Sequence, residues 1–234
     1  STFLQRAYDQ IFHDVCLMDL PVVFALDRAG IVGEDGPTHQ GINDIAYLRH
    51  MPHMILMAPK DENELRQMVY SAFQYGHPVA IRFPKGKGLG VKIESDFSFI
   101  PAGQAERLKP GRDLIVAYGN TVYPALEVAR RLEEQGLSLA VINARFARPL
   151  DENLIIEQAR QARTIFTLEE GIIEGGFGSA VRELLDRHGL YQARFKSFGL
   201  PTALYPLGKA DEIRKLLRLD VDSLVEDISR FYCG

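Results

Sequence analysis

The sequence predicts an α/β protein in which part of a parallel sheet wrapped by helices is followed by a second, separate α/β domain. Short apolar runs of strand length alternate with charged, capped segments at helical spacing along almost the whole chain. That alternation breaks once, between residues 85 and 110, where glycine, proline and short mixed segments take over. The first part is also short of strands: it offers three, whereas doubly wound sheets use about five or more. The other half of that sheet is expected upstream of Ser1, and the opening STFLQRAYDQ looks like an interior cut.

Phe3, Leu4, Ala7, Tyr8, Ile11, Phe12 and Val15 recur at helical spacing and predict a buried amphipathic helix, capped by Ser1 or Thr2. PVVFALD over 21–27 reads as a buried strand, and 54–58 and 79–83 as two more. DENELRQMVYSAFQYG from Asp61 reads as a capped helix with its charges outward. The order strand, long loop, strand, helix, strand is that of a parallel sheet. Residues 1–98 are assigned to the first domain, 99–112 to a linker with a strand near 103–108, and 113–234 to the second domain. There, strands begin at Leu114, Leu139, Thr164 and Arg194. Helices span 121–135, 151–162 and 177–188, and two more start at Lys209 and Val221.

With 234 residues, 46% hydrophobic and 25% charged, the chain has the composition of a soluble globular protein. A formal charge of -4 argues against nucleic acid or an anionic membrane as partner, since both favour a basic face. No apolar run is long enough to span a bilayer. Cys16 and Cys233 sit near opposite ends without CxxC or Cys/His spacing, so neither a disulfide framework nor a zinc site is indicated, and a reducing, cytoplasmic setting fits best.

Chemistry concentrates in DRAGIVGEDGPTHQG, residues 27–41, the loop that leaves the first strand. Ligands of open parallel sheets bind in such loops, at the carboxyl ends of strands. Four glycines permit close approach to a ligand. Arg28 can grip a phosphate or a carboxylate bidentately. His39 can donate, accept and titrate near neutral pH, and Asp35 can orient it or hold a substrate hydroxyl. On composition alone, a solvated glycine-rich turn reads the same way.

GEDGPTHQ at 33–40 resembles the substrate loop of the transketolase-like thiamine-diphosphate enzymes. The flanking DRAGIVG, Gly41 and STFLQRAYDQ resemble the 1-deoxy-D-xylulose-5-phosphate synthase members of that family, and the resemblance runs along essentially the whole chain. It implies a pyrimidine-binding domain, entered partway, followed by a transketolase C-terminal domain. It further implies condensation of pyruvate with D-glyceraldehyde 3-phosphate, thiamine diphosphate and Mg2+ as cofactors, and a homodimer. Carried onto this sequence, His39 and Asp35 match the pair beside the reacting carbon, Arg28 matches the acceptor-phosphate arginine, and Phe3 matches the aromatic residue that stacks on the cofactor pyrimidine. Lys85 stands where the family usually has a second arginine, keeping the charge and losing the planar fork. Arg82, at a strand end, is the less suited stand-in and otherwise reads as a surface or interface charge.

The family's Gly-Asp-Gly metal motif and catalytic glutamate are not matched, and are expected in the missing N-terminal segment. Asp35, Gly36 and Asn63 imitate that motif, but residue 34 is Glu. GGFGSA at 175–180 opens a helix without GxGxxG spacing, so a dinucleotide site is not inferred there, and Glu169, Glu170 and Glu174 read as structural or interface charges. His13, His50, His53, His77 and His188 show no ligand spacing.

Overall fold

A computed structural model describes residues 1–233, and within them the alternation of the sequence becomes two sheets with helices packed on them. The first sheet has the order β1-β3-β2-β7, formed by β1 (Val23–Leu26), β2 (Ile55–Met57), β3 (Val79–Arg82) and β7 (Phe146–Arg148). β1, β3 and β2 are parallel, with Leu26 opposite Arg82 and Ile55 opposite Val79. β7 comes from the second half of the chain and pairs antiparallel with β2. The sequence gives no strand there, because three residues followed by a proline carry no readable period. Phe146 is fully buried among Ile55, Met57, Met68 and Ile81, so the second half contributes to the core of the first.

Asp61 caps α2 (Glu62–Ala72) by accepting from the Glu64 N–H at 2.8 Å, as its position suggests. The loop after β1 holds an unanticipated short helix, α1 (Asp44–Leu48), whose Asp44, Ile45 and Leu48 are buried. The N-terminal segment is helical but not the buried α-helix of the sequence reading. It winds as a 3-10 turn over Thr2–Ala7 and a π-helix over Gln10–Cys16, and only Ile11 and Cys16 are buried.

The second sheet has the order β4-β6-β5-β8-β9, from β4 (Glu106–Lys109), β5 (Asp113–Ala117), β6 (Leu139–Asn143), β8 (Thr164–Ile172) and β9 (Arg194–Leu200). β4 is antiparallel and the remaining pairings are parallel. β5 and β6 are buried at every position, as strands covered on both faces must be. α3 (Val122–Glu133) turns Val122, Ala125, Val128, Ala129 and Leu132 inward at helical spacing. α4 (Glu152–Ala159), α5 (Phe177–Arg187), α6 (Ala210–Leu216) and α7 (Val221–Cys233) complete the layer. One apolar core runs through both halves, from Ile11, Leu26 and Ile45 to Leu114, Tyr118 and Phe177. Among the described residues, no helix is long and apolar enough to cross a membrane.

Candidate active site

β1 and β3 are neighbouring parallel strands, so the segments leaving their carboxyl ends emerge side by side. That topology sets Arg28, two residues past β1, near Lys85, three residues past β3. The Ala29 N–H donates to the Phe83 carbonyl at 3.0 Å and holds the two exits together. Arg28 itself has φ +56°, a left-handed conformation uncommon for a side-chain-bearing residue. The loop then closes on itself: Gly30 donates to the Gly41 carbonyl at 2.6 Å, and Gly41 donates to the Gly30 carbonyl at 2.9 Å. At Gly30 (φ +81°) a Cβ would collide with the Glu170 side chain, so glycine is required both for backbone and for space.

Within this frame Asp35 is the centre. Lys85 Nζ donates to its Oδ1 at 2.6 Å, and Arg28 Nε stands 3.7 Å from its Oδ2. Oδ2 is buried and accepts no hydrogen bond, which leaves an acceptor ready for a donor brought by a bound molecule. The Lys85 hydrogen bond holds the Asp35 carboxyl below the usual carboxylate range; burial opposes this, and the charges of Lys85, Arg28 and His39 add to it. His39 Nδ1 lies 3.0 Å from Thr38 Oγ1, and its ring stands perpendicular to that of Phe3 at a centroid distance of 5.3 Å. Phe3 is 64% exposed, not the core residue its helical spacing suggests. The five residues singled out from sequence therefore gather at one loop, as an Arg28–Asp35–Lys85 cluster and a Phe3–His39 contact.

Gln40, to which sequence reasoning gave no role, Glu170, read there as a structural or interface charge, and Arg82 hold that loop in shape. Gln40 is buried, accepts from the Val32 N–H at 3.0 Å and donates to the Gly36 carbonyl at 3.2 Å. Glu170 reaches over from β8, accepting from the Ile31 N–H at 3.2 Å and from Arg214 at 2.5 Å. Arg82 is no surface charge: it is 3% exposed, pairs with Asp44 at 3.0 Å, and donates to the carbonyls of Gly41 at 3.3 Å and Glu170 at 2.9 Å. Its Nε and Nη2 are committed to these contacts, and Lys85 and Arg28 are the cations beside Asp35. No sequence spacing relates Arg82 to Asp44, since a sheet and a loop bring them together.

The glycine-rich turn at 175–180 already holds a carboxyl of the chain itself. Glu169, fully buried, accepts from the Phe177 N–H at 2.8 Å and the Gly178 N–H at 2.7 Å, covering the N-terminus of α5. Burial pushes its carboxyl up to about 7, against the pull of those two N–H groups. Three of the histidines have ordinary partners: His13 with Asp9, His50 with Tyr8 and His188 with Glu152. His53 and His77, unconnected in sequence, are brought together with Asp19 at the other end of the sheet.

Comparison with known proteins agrees with this architecture. The family described as "Transketolase, pyrimidine binding domain" matches residues 1–89, and "Transketolase, C-terminal domain" matches residues 103–224. A 1-deoxy-D-xylulose-5-phosphate synthase of Synechococcus elongatus is 53% identical over 97% of this chain, and one of Halothermothrix orenii is 49% identical over 97%. Both alignments cover 36% of the relative, so the chain spans about a third of the length of the curated proteins it matches. A solved structure titled "Split gene transketolase, inactive beta4 tetramer" superposes with a TM-score of 0.86 at 30% identity, covering 98% of this chain and 73% of that one. A transketolase from Pichia stipitis shares the fold, with a TM-score of 0.76. By both domains and in their order, the chain belongs to the transketolase family, and along nearly its whole length it is similar to the family's 1-deoxy-D-xylulose-5-phosphate synthases.

Proposed function

We propose that this chain supplies the acceptor side of a thiamine-diphosphate site that condenses pyruvate with D-glyceraldehyde 3-phosphate, giving 1-deoxy-D-xylulose 5-phosphate and carbon dioxide. The observation that carries the reading is the convergence of Arg28 and Lys85 on Asp35, two cations and an ionised carboxylate at the carboxyl ends of adjacent parallel strands. Arg28 and Lys85 bind the acceptor phosphate, one as a planar fork and the other as a point charge. Asp35 Oδ2 accepts a hydroxyl of the acceptor, and His39 holds or moves a proton beside the carbonyl. The exposed ring of Phe3, perpendicular to that of His39, fits stacking against a heteroaromatic cofactor. When bound, thiamine diphosphate supplies the electron sink for decarboxylation.

The loop itself does not offer a set of oxygen ligands for Mg2+. We assign the Mg2+ and diphosphate ligands to sequence outside this chain, in the remaining two thirds of a protein of the relatives' length. A homodimer in the cytoplasm, with residues 1–98 and 113–234 as domains, completes the reading. A second reading, the C-terminal half of a split transketolase, is favoured by the superposition on the split-gene structure. The two separate in one assay: join or mix the chain with the complementary N-terminal sequence, and offer pyruvate plus glyceraldehyde 3-phosphate in parallel with a ketose-phosphate donor. Carbon dioxide release that needs both pyruvate and the aldehyde supports the synthase, and turnover of the ketose donor alone supports transketolase.

A further inference from the structure

β1, β3 and β2 run parallel, so their amino ends also lie together, at the edge of the sheet opposite the 28–41 loop. The segments entering them are stitched by backbone hydrogen bonds, Val79 N–H to the Val22 carbonyl at 2.9 Å and Ile55 N–H to the Pro78 carbonyl at 2.8 Å. Each segment brings one side chain able to ligate a metal: Asp19 before β1, His53 before β2 and His77 before β3, the central strand. One ligand atom from each lies within 4.8 Å of the others. His77 Nδ1 is 2.8 Å from Asp19 Oδ1, and His53 Nδ1 is 3.8 Å from Asp19 Oδ2. The two imidazole rings stack nearly parallel, at 11° and a centroid distance of 6.2 Å. Asp19 and His53 both hold left-handed backbone, φ +50° and +60°, in the turns that aim them at this point.

We propose that Asp19, His53 and His77 form a binding site for one divalent transition-metal ion of the Zn2+ class. Two imidazole nitrogens and a carboxylate oxygen suit Zn2+, Co2+, Ni2+ or Cu2+, whereas Mg2+ demands oxygen ligands in an octahedron. Metal–ligand bonds of about 2.1 Å in a tetrahedron set ligand atoms about 3.4 Å apart. Two of the three separations, 2.8 and 3.8 Å, bracket that value and the third is within 4.8 Å, so the site closes by side-chain rotations that also bring both ring planes onto the ion. The His77–Asp19 hydrogen bond is replaced by shared ligation, and water fills the fourth position, because His53, His77 and Asp19 remain 50%, 48% and 35% exposed. A bound ion staples three loops of one sheet, and it lies apart from the loop proposed to bind substrate.

The test is metal titration of the full chain carrying Cys233→Ser, which removes the one exposed thiol. Co2+ and Zn2+ are added after chelator treatment, in excess Mg2+. The expected result is one Co2+ per chain with visible d–d absorption, displaced by Zn2+, untouched by Mg2+, and accompanied by a rise in Tm. His53→Ala, His77→Ala and Asp19→Asn should each weaken Zn2+ by about tenfold or more, with circular dichroism unchanged. Absence of saturable binding would leave Asp19 and His77 as an ordinary hydrogen-bonded pair and overturn the proposal. So would binding that survives these substitutions, or binding that excess Mg2+ displaces.

Discussion

Lys85 Nζ sits 2.6 Å from Asp35 Oδ1, so the cation proposed to receive a phosphate is already held by a carboxylate of the neighbouring 27–41 loop. The pair is partly solvent-exposed and therefore adjustable, since exposed ion pairs exchange partners at little cost. On the proposed reading, a dianionic phosphate entering between Arg28 and Lys85 would compete with Asp35 for Lys85 and free Asp35 Oδ1 to join Oδ2 as an acceptor.

Lys85→Arg should retain the contact with Asp35 and tighten the phosphorylated acceptor, because a guanidinium binds phosphate through two parallel hydrogen bonds. Lys85→Ala should raise KM for glyceraldehyde 3-phosphate by about tenfold or more, the loss of one charged hydrogen bond. It should also release Asp35. The Lys85 hydrogen bond now depresses that carboxyl, so its titration, followed by carboxyl-carbon NMR, should move to higher pH in Lys85→Ala and stay depressed in Lys85→Arg. An unmoved Asp35 titration in Lys85→Ala would contradict this assignment.

Arg82→Met should be strongly destabilising. It leaves Asp44 buried without its guanidinium and takes a donor from the carbonyls of Gly41 and Glu170. Breaking one side of a buried pair costs about 3–5 kcal/mol, readable as a lowered urea midpoint. Arg82→Met with Asp44→Leu should recover part of that loss in stability. It should not recover acceptor binding, because the Gly41 and Glu170 carbonyls still lack the Arg82 donor. Equal stability of the single and double variants would show that the ion pair is not what holds this junction.

Glu169 gives stability a defined pH dependence. Its carboxyl titrates at about 7 in the fold against 4.5 for the free side chain, so the folded state holds the proton more tightly. The resulting stabilisation is fully present below about pH 4.5 and is lost as pH rises through about 7, up to about 3 kcal/mol over the window. The fall in Tm between pH 5 and 8 should therefore be shallower in Glu169→Gln than in the unsubstituted chain. Identical slopes would mean that Glu169 is ionised throughout, held by the Phe177 and Gly178 N–H groups.

Elements with several turns or a full alternation were legible from sequence: α2 through the Asp61 cap, α3 through its inward stripe, and β5 and β6 through unbroken apolar runs. The elements missed were those whose cause is distant. α1 has five residues and no side-chain cap, and it is held by burial of Ile45 and Leu48 and by the contact of Asp44 with Arg82 of β3. β7 has three residues and becomes a strand only by pairing with β2 across the chain's midpoint. The same division holds at the candidate site. Arg28, Asp35 and His39 could be singled out together because they lie within one loop whose sequence resembles a family motif. Glu170 and Arg214 act on that loop from β8 and α6, at separations no local pattern encodes. Likewise His53 and His77 showed no ligand spacing and Asp19 drew no notice, since the proximity of the three is a property of the sheet.

The most direct test of the acceptor site is the kinetics of Arg28→Ala in the protein completed with its N-terminal sequence. Arg28 reaches Asp35 only at 3.7 Å and makes no other ion pair among the described residues, so its guanidinium is free to take a phosphate. The account predicts that KM for glyceraldehyde 3-phosphate rises by about tenfold or more, the cost of one charged hydrogen bond, while KM for pyruvate stays within about twofold. An equal loss for both substrates, or none for the phosphorylated one, would contradict it.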